Sequence, residues 1–123
     1  MALVTVAAAL AAPAAAGAKV LIETYNEGLE PHVVLEGTSM PINNPKRMTV
    51  EFTANHKAEL VGSFAIKCAH GRRHSYSVSG ISPAARTVRI RAHAGKCRVV
   101  AAEARLADPF DEGWIKLRAT GSG

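Results

Sequence analysis

Short segments in which apolar and polar residues alternate follow one another along the chain from residue 19 to residue 120. The clearest is the segment over residues 48–55, because every second residue from Met48 to Ala54 is apolar. A period of two places apolar side chains on one face of a strand and polar side chains on the other. Segments of the same kind occupy residues 19–25, 32–36, 58–68, 74–80, 86–94, 97–106 and 114–120. Short strands separated by turns predict an all-β fold, a single β-sandwich of seven to eight antiparallel strands in the style of immunoglobulin domains.

The connections between the segments refine this prediction. Residues 40–46 contain two prolines and two asparagines, which excludes a central strand and predicts a long loop that links the two sheets. The turn at residues 94–96 is so short that segments 86–94 and 97–106 are predicted to pair as a β-hairpin. Residues 101–106 favour a helix by propensity, but they are too few to form one alone, so a strand is predicted there.

An uncharged, alanine-rich segment precedes the strands. Residues 1–18 end in the small-x-small pattern that is typical of a signal peptide, with cleavage between Ala18 and Lys19, although a basic residue at the start is missing. The alternatives are a disordered tail and an uncleaved apolar helix that packs between subunits, as in surface filaments. Pro13 interrupts a run that is already short for a membrane span.

Cleavage predicts a secreted or cell-surface protein with one sandwich domain over residues 19–120 and a flexible end at residues 121–123. The abundance of Ala, Arg and Gly resembles that of a small secreted domain from a high-GC bacterium. Contact with a membrane is expected only through an uncleaved N-terminus. The pattern indicates no particular oligomeric state.

The two cysteines are predicted to form an intramolecular disulfide. Cys68 ends the segment over residues 58–68, and Cys97 opens the segment over residues 97–106. In an exported domain two cysteines most simply pair with each other, and two buried thiols or an intermolecular bridge are the alternatives. Trp114 follows both cysteines, so the arrangement differs from the usual immunoglobulin pair.

Positive charge is concentrated in one stretch of the chain. Residues 67–105 contain nine Lys and Arg residues against Glu103 alone, in a chain of net charge +5. With the hairpin formed, six of them are predicted to cluster at one face and end of a sheet: Arg72, Arg73, Arg89, Arg91, Lys96 and Arg98. Such a patch fits a cell-wall polymer, an anionic lipid, a nucleic acid or an acidic protein surface. The alternative is a solvated face that keeps the sheet from pairing with other chains.

Candidate catalytic and metal-binding groups are few. His70 and His74 lie in a turn, without the helical geometry that lets two histidines share a metal, and two ligands do not complete a tetrahedral site. The sequence contains no nucleophile elbow, phosphate-binding loop or paired-carboxylate motif. We therefore predict a non-enzymatic protein with a binding or structural role, without a catalytic residue, metal or cofactor. The alternatives are a polyanion-binding module and a subunit of a surface assembly.

Overall fold

The computed structural model describes residues 18–108 and 112–123. Within these residues the chain forms nine strands and no helix, and hence no helix long and apolar enough to cross a membrane. The strands are β1 (Lys19–Leu29), β2 (His32–Val34), β3 (Ile42–Asn43), β4 (Arg47–Ala54), β5 (Glu59–Cys68), β6 (His74–Ile81), β7 (Ala84–Arg89), β8 (Lys96–Leu106) and β9 (Glu112–Ser122).

The strands form two antiparallel sheets. One sheet has the order β1-β9-β4-β7, and the other has the order β2-β8-β5-β6, with the short β3 also pairing with β8. The predicted all-β sandwich is therefore confirmed. Each of the eight predicted segments overlaps a strand, and residues 101–106 extend β8 instead of forming a helix.

The core between the sheets is built from the alternating apolar residues. Met48, Val50 and Phe52 of β4 are fully buried, and their neighbours along the strand are more exposed. Leu117 of β9 and Phe64 of β5 belong to the same buried cluster, which draws on both sheets. The period of two in the sequence therefore corresponds to the inward-facing side of each strand.

The connection over residues 40–46 links the two sheets, as predicted. It contains β3, which pairs with the start of β8, and it then enters β4 in the other sheet. Just before it, the buried Ser39 occupies the edge of β8 where no strand pairs. The Ser39 Oγ accepts a hydrogen bond from the Val99 N–H at 2.9 Å, and the Ser39 N–H donates to the Val99 carbonyl.

The predicted hairpin between residues 86–94 and 97–106 is wrong. Strand β7 ends at Arg89 and pairs with β4 in one sheet, whereas β8 pairs with β5 and β2 in the other. Residues 90–95 cross between the sheets, and the Ile90 N–H donates to the Lys46 carbonyl at 2.9 Å. The crossing bends through a left-handed backbone at His93 (φ 62°) and Gly95 (φ 81°). Pairing with distant strands therefore overrides the short-turn signal at residues 94–96.

The C-terminal end of the chain also differs from the prediction. Gly121 and Ser122 continue β9 instead of forming a flexible end, and the Ser122 carbonyl accepts a hydrogen bond from the Lys46 N–H at 2.7 Å. A Cβ atom on Gly121 would lie 2.9 Å from the Ile42 side chain, so the absence of a side chain allows close packing there. The predicted signal segment lies outside the described residues, apart from Ala18.

Candidate functional site

The strand directions gather basic side chains at one end of the sandwich. Three loops meet there, and none of them contains Asp or Glu: residues 44–46, 69–73 and 90–95. Backbone hydrogen bonds join the loops, from the Asn44 N–H to the Gly95 carbonyl and from the His70 N–H to the Ala94 carbonyl, both at 2.9 Å. We call this region the basic end. Its Lys and Arg residues are Lys19, Lys46, Arg47, Lys67, Arg72, Arg73, Arg89, Arg91 and Lys96, and Lys67 Nζ donates to the Gly71 carbonyl.

A cleft of about 590 Å³ opens at the basic end, beside the edge strands β6 and β7. Ile66, Tyr76 and Ile90 give it an apolar lining. The guanidinium and imidazole side chains around it are Arg72, Arg89, Arg91, His70 and His74. Among the described residues, no acidic side chain lines the cleft. Cationic groups above apolar surface create a positive field in a site that is partly shielded from water.

The disulfide and a set of hydrogen bonds hold the walls of the cleft. The sulfur atoms of Cys68 and Cys97 lie 2.05 Å apart and join β5 to β8, which supports the predicted pair. Arg91 Nη2 donates to the His70 carbonyl at 2.9 Å, and the Gly95 N–H donates to Asn44 Oδ1 at 2.9 Å. The bridge lies within one sheet, unlike the immunoglobulin bridge between sheets. It therefore fixes the loop at residues 69–73 against the start of β8.

Tyr76 is engaged by its neighbours within the fold. Its ring stacks on that of Phe64 with centroids 5.2 Å apart, and the Arg86 guanidinium lies 5.2 Å from the centroid of the Tyr76 ring. Arg86 Nη1 also donates to the Ser77 carbonyl at 3.1 Å. Proteins that bind single-stranded nucleic acid stack bases on available aromatic rings. The cleft therefore suits an anionic group better than a nucleic-acid base.

The six residues of the predicted patch do not form one surface. Three of them line the cleft: Arg72, Arg89 and Arg91. Arg73 lines a different depression, together with Ala65 and Glu103. Arg98 reaches the Ser39 carbonyl at 3.5 Å, and Lys96 is exposed at the start of β8. Five of the six therefore lie at the basic end, Arg98 being the exception, but they do not share one face, because the predicted hairpin does not form.

Two cationic residues at the basic end were missing from the predicted patch. Arg47 opens β4 directly opposite Arg89 of β7, and Lys46 precedes it. Both come from a part of the sequence in which acidic residues predominate. The sequence signal for them is their position at the start of a strand, just after Pro45. That position places Lys46 and Arg47 near Arg89 only because β4 and β7 are antiparallel neighbours, which the sequence does not indicate.

The chemistry available in the cleft is anion binding. Guanidinium groups form paired, charge-assisted hydrogen bonds with carboxylate, sulfate or phosphate groups. His70 and His74 add ring nitrogens at the same site. Within residues 18–108 and 112–123, no three His, Cys, Asp or Glu residues are grouped so that they could hold a metal ion.

The opposite end of the sandwich is mostly acidic. There β9 pairs with β1 from Glu112 onward, but with β4 only from Ile115 onward, so the tip of the β1–β9 ribbon extends past β4. Leu29 lies opposite Glu112 at this tip and is 77% exposed. We call this region the acidic end. Among the residues that the structure describes, its charged side chains belong to Glu27, Glu30, Glu59, Asp108 and Glu112, with Lys57 and Arg105.

Comparison with solved structures finds a similar fold in a viral structural protein. The match is the C-terminal domain of A223, a structural protein from Sulfolobus turreted icosahedral virus, with a TM-score of 0.54 and 8% sequence identity. It covers 86% of this chain and 99% of that chain. Comparisons with protein-family models and with curated proteins give no match. At 8% identity the similarity concerns the fold alone.

Proposed function

We propose that this protein is a non-enzymatic β-sandwich that serves as a structural subunit at or outside the cell surface. The observation that carries the proposal is its similarity in fold to nearly the whole of a domain from a viral structural protein. Folds that consist of two packed β-sheets are common in viral capsid proteins. The cleft at the basic end supports a binding role within such an assembly, because its charged groups suit recognition of an acidic surface.

Two further observations support export. The disulfide between Cys68 and Cys97 is of the kind that persists in oxidising compartments. The signal-like segment ends at Ala18, and β1 begins at Lys19. Cleavage between these two residues therefore leaves every described strand intact.

The intact mass of protein recovered from the culture medium tests the proposal. We expect a chain that begins at Lys19 and gains the mass of two hydrogen atoms on reduction. Protein that stays in the cytoplasm at full length with two free thiols would contradict export. A variant with Cys68→Ala and Cys97→Ala is the matched control, because its mass should not change with reductant.

A second candidate function is the binding of an acidic polymer at the basic end. The specific observation in its favour is the cleft, in which Arg72, Arg89 and Arg91 surround apolar surface without an acidic neighbour among the described residues. This candidate predicts retention on a heparin column that weakens steeply as salt is added, since each phosphate-like or sulfate-like contact releases counterions.

Paired charge reversals test this second candidate. We expect Arg89→Glu with Arg91→Glu to lower markedly the salt concentration at which the protein elutes from heparin. The control is Lys57→Glu with Arg105→Glu at the acidic end, which changes the net charge equally. If the two variants elute at the same salt concentration, heparin retention depends on net charge alone and the cleft is not the binding site.

A further inference from the structure

We propose that copies of this chain associate end to end, with the acidic tip of one copy seated in the basic cleft of the next. The inference rests on the structural role proposed above and names the partner as a second copy of the chain. It is carried by three features of the described residues: the charge of the two ends, the fit of an apolar tip to an apolar cleft, and the closure of edge-strand positions.

The two ends are complementary in charge. The three loops of the basic end contain no acidic residue. At the acidic end, Glu30 and Glu112 flank the exposed Leu29 across the ribbon tip. Complementary potentials of this kind steer association and set the orientation of the partners. Two like ends repel each other, so the favoured contact joins opposite ends.

The apolar surfaces are also complementary. Leu29 projects from the acidic end with 77% of its surface exposed, the largest exposed fraction among the large apolar side chains of the described residues. The cleft offers Ile66, Tyr76 and Ile90 within about 590 Å³. Pockets that bind small ligands measure about 300–1,000 Å³, so the cleft has room for a leucine side chain and adjoining backbone. An apolar anchor inside a charged rim is the usual arrangement of a binding hot spot.

The described edges of β6 and β1 are partly blocked against pairing with a strand of another copy. At the free edge of β6, Arg86 already donates to the Ser77 carbonyl. At the free edge of β1, the Leu21 carbonyl accepts a hydrogen bond from the Met40 N–H at 3.1 Å. Edge strands blocked in this way resist pairing with other chains. A contact between two different surfaces of the same protein repeats from copy to copy, so it produces an open chain or a closed ring.

Sedimentation of charge-reversed variants tests the end-to-end contact. The cleft variant is Arg72→Glu with Arg89→Glu, and the tip variant is Glu30→Lys with Glu112→Lys. At low salt we expect the wild-type protein to sediment with at least twice the monomer mass and each variant to sediment as a monomer. An equimolar mixture of the two variants should associate again, because the tip variant keeps the native cleft and the cleft variant keeps the native tip.

Salt and matched controls sharpen the test. Raising the ionic strength from about 0.01 M to about 1 M shortens the Debye length from about 30 Å to about 3 Å, so wild-type association should weaken at least about tenfold. Lys116→Glu and Glu103→Lys make the same kinds of charge reversal within strands β9 and β8, away from the cleft and from the ribbon tip, and should leave association unchanged. Leu29→Ser should weaken self-association while leaving heparin retention as in the wild type. Far-UV circular dichroism and thermal melting establish that each variant is folded.

The possible results separate the contact from the wider role. A mixture that stays monomeric, or variants that associate as well as the wild type, would overturn the end-to-end contact and leave a structural role through other surfaces. A wild-type protein that remains monomeric at low salt and high concentration would overturn both the end-to-end contact and the proposed structural role. Heparin retention without self-association would favour the polyanion-binding function instead.

Discussion

The two ends of the sandwich differ in construction as well as in charge. At the basic end, the disulfide between Cys68 and Cys97 and the side chain of Asn44 tie separate loops together around the cleft. At the acidic end, the ribbon tip from Glu112 pairs with β1 alone before β4 joins the sheet at Ile115. One end is therefore a preformed cavity, and the other is a projecting tip.

In this sandwich, charge polarity depends on where residues fall relative to the strand ends as well as on blocks of sequence. Residues 19–66 carry more acidic than basic residues. Nevertheless, Lys46 and Arg47 from this stretch lie at the basic end, whereas Glu27 and Glu59 lie at the acidic end. Each antiparallel strand contributes one terminus to each end. A modest bias in where charges fall along the strands is therefore sufficient to polarise the whole domain.

The largest effect is expected from removing the cross-link at the basic end. Replacing both Cys68 and Cys97 by Ala should lower the free energy of unfolding by about 3–4 kcal/mol, because the unfolded chain loses a loop closure. Urea unfolding measures the change, with reduced wild-type protein as the control. Hydrogen exchange should accelerate first at residues 69–71 and least at the acidic end. If hydrogen exchange accelerated equally at both ends, the disulfide would not hold the basic end in particular.

A smaller effect is expected from two glycines that face each other at the acidic tip. Gly113 and Gly28 are register partners with φ near +141° and +142°, a conformation that strains other residues. A Cβ atom on Gly113 would collide with the Asn55 side chain, whereas nothing lies within 4 Å of one on Gly28. Asn55 Oδ1 accepts the Trp114 N–H at 3.0 Å, so this bond would also be disturbed.

We therefore expect Gly113→Ala to destabilise the protein by about 2 kcal/mol more than Gly28→Ala, since both carry the strain but only one loses the Asn55 contact. Thermal or urea unfolding of the two variants measures this difference. Equal destabilisation would mean that Asn55 moves aside freely and does not anchor the tip.

The smallest effect is expected at Asn44, which links two loops of the basic end. Asn44→Ala removes the acceptor of the Gly95 N–H and places alanine at a φ of 47°, which should lower the free energy of unfolding by about 1–2 kcal/mol. The exposed neighbour Asn43 is the matched control, and its change to Ala should stay within about 0.5 kcal/mol. If both variants unfold alike in urea, the Asn44 side chain does not support the wall of the cleft.

The sequence was sufficient to predict the strands and the disulfide, because alternation is a local pattern and two cysteines allow one intramolecular pairing. Alternation marks the inward residues of β4 directly, and Cys68 and Cys97 are the chain's two cysteines. Strand pairing was less predictable. Gly95 does adopt the positive φ of a tight turn, but the crossover that it serves is defined by bonds to residues 44–46, some fifty positions earlier.

The candidate site was predictable only in part for the same reason. The concentration of positive charge in residues 67–105 predicts Arg72, Arg89 and Arg91 as patch residues, and the structure brings all three to one cleft. Arg73 belongs to the same predicted patch, but its side chain lines a different depression from that of the adjacent Arg72. Neither the cleft nor the acidic tip can be found from local sequence, since each is assembled from strand ends that meet only in the folded sandwich.

The hydrogen bond from Arg86 to the Ser77 carbonyl has a consequence for solubility at high concentration. Strand β6, from His74 to Ile81, contains no Lys, Arg, Asp, Glu or Pro and lies at a sheet edge. An uncharged edge strand without proline is the kind of edge to which a strand of another chain can add. A single guanidinium occupies one of the positions that an incoming strand would need. The bond therefore obstructs strand addition at this position of the edge when copies of the chain are crowded together.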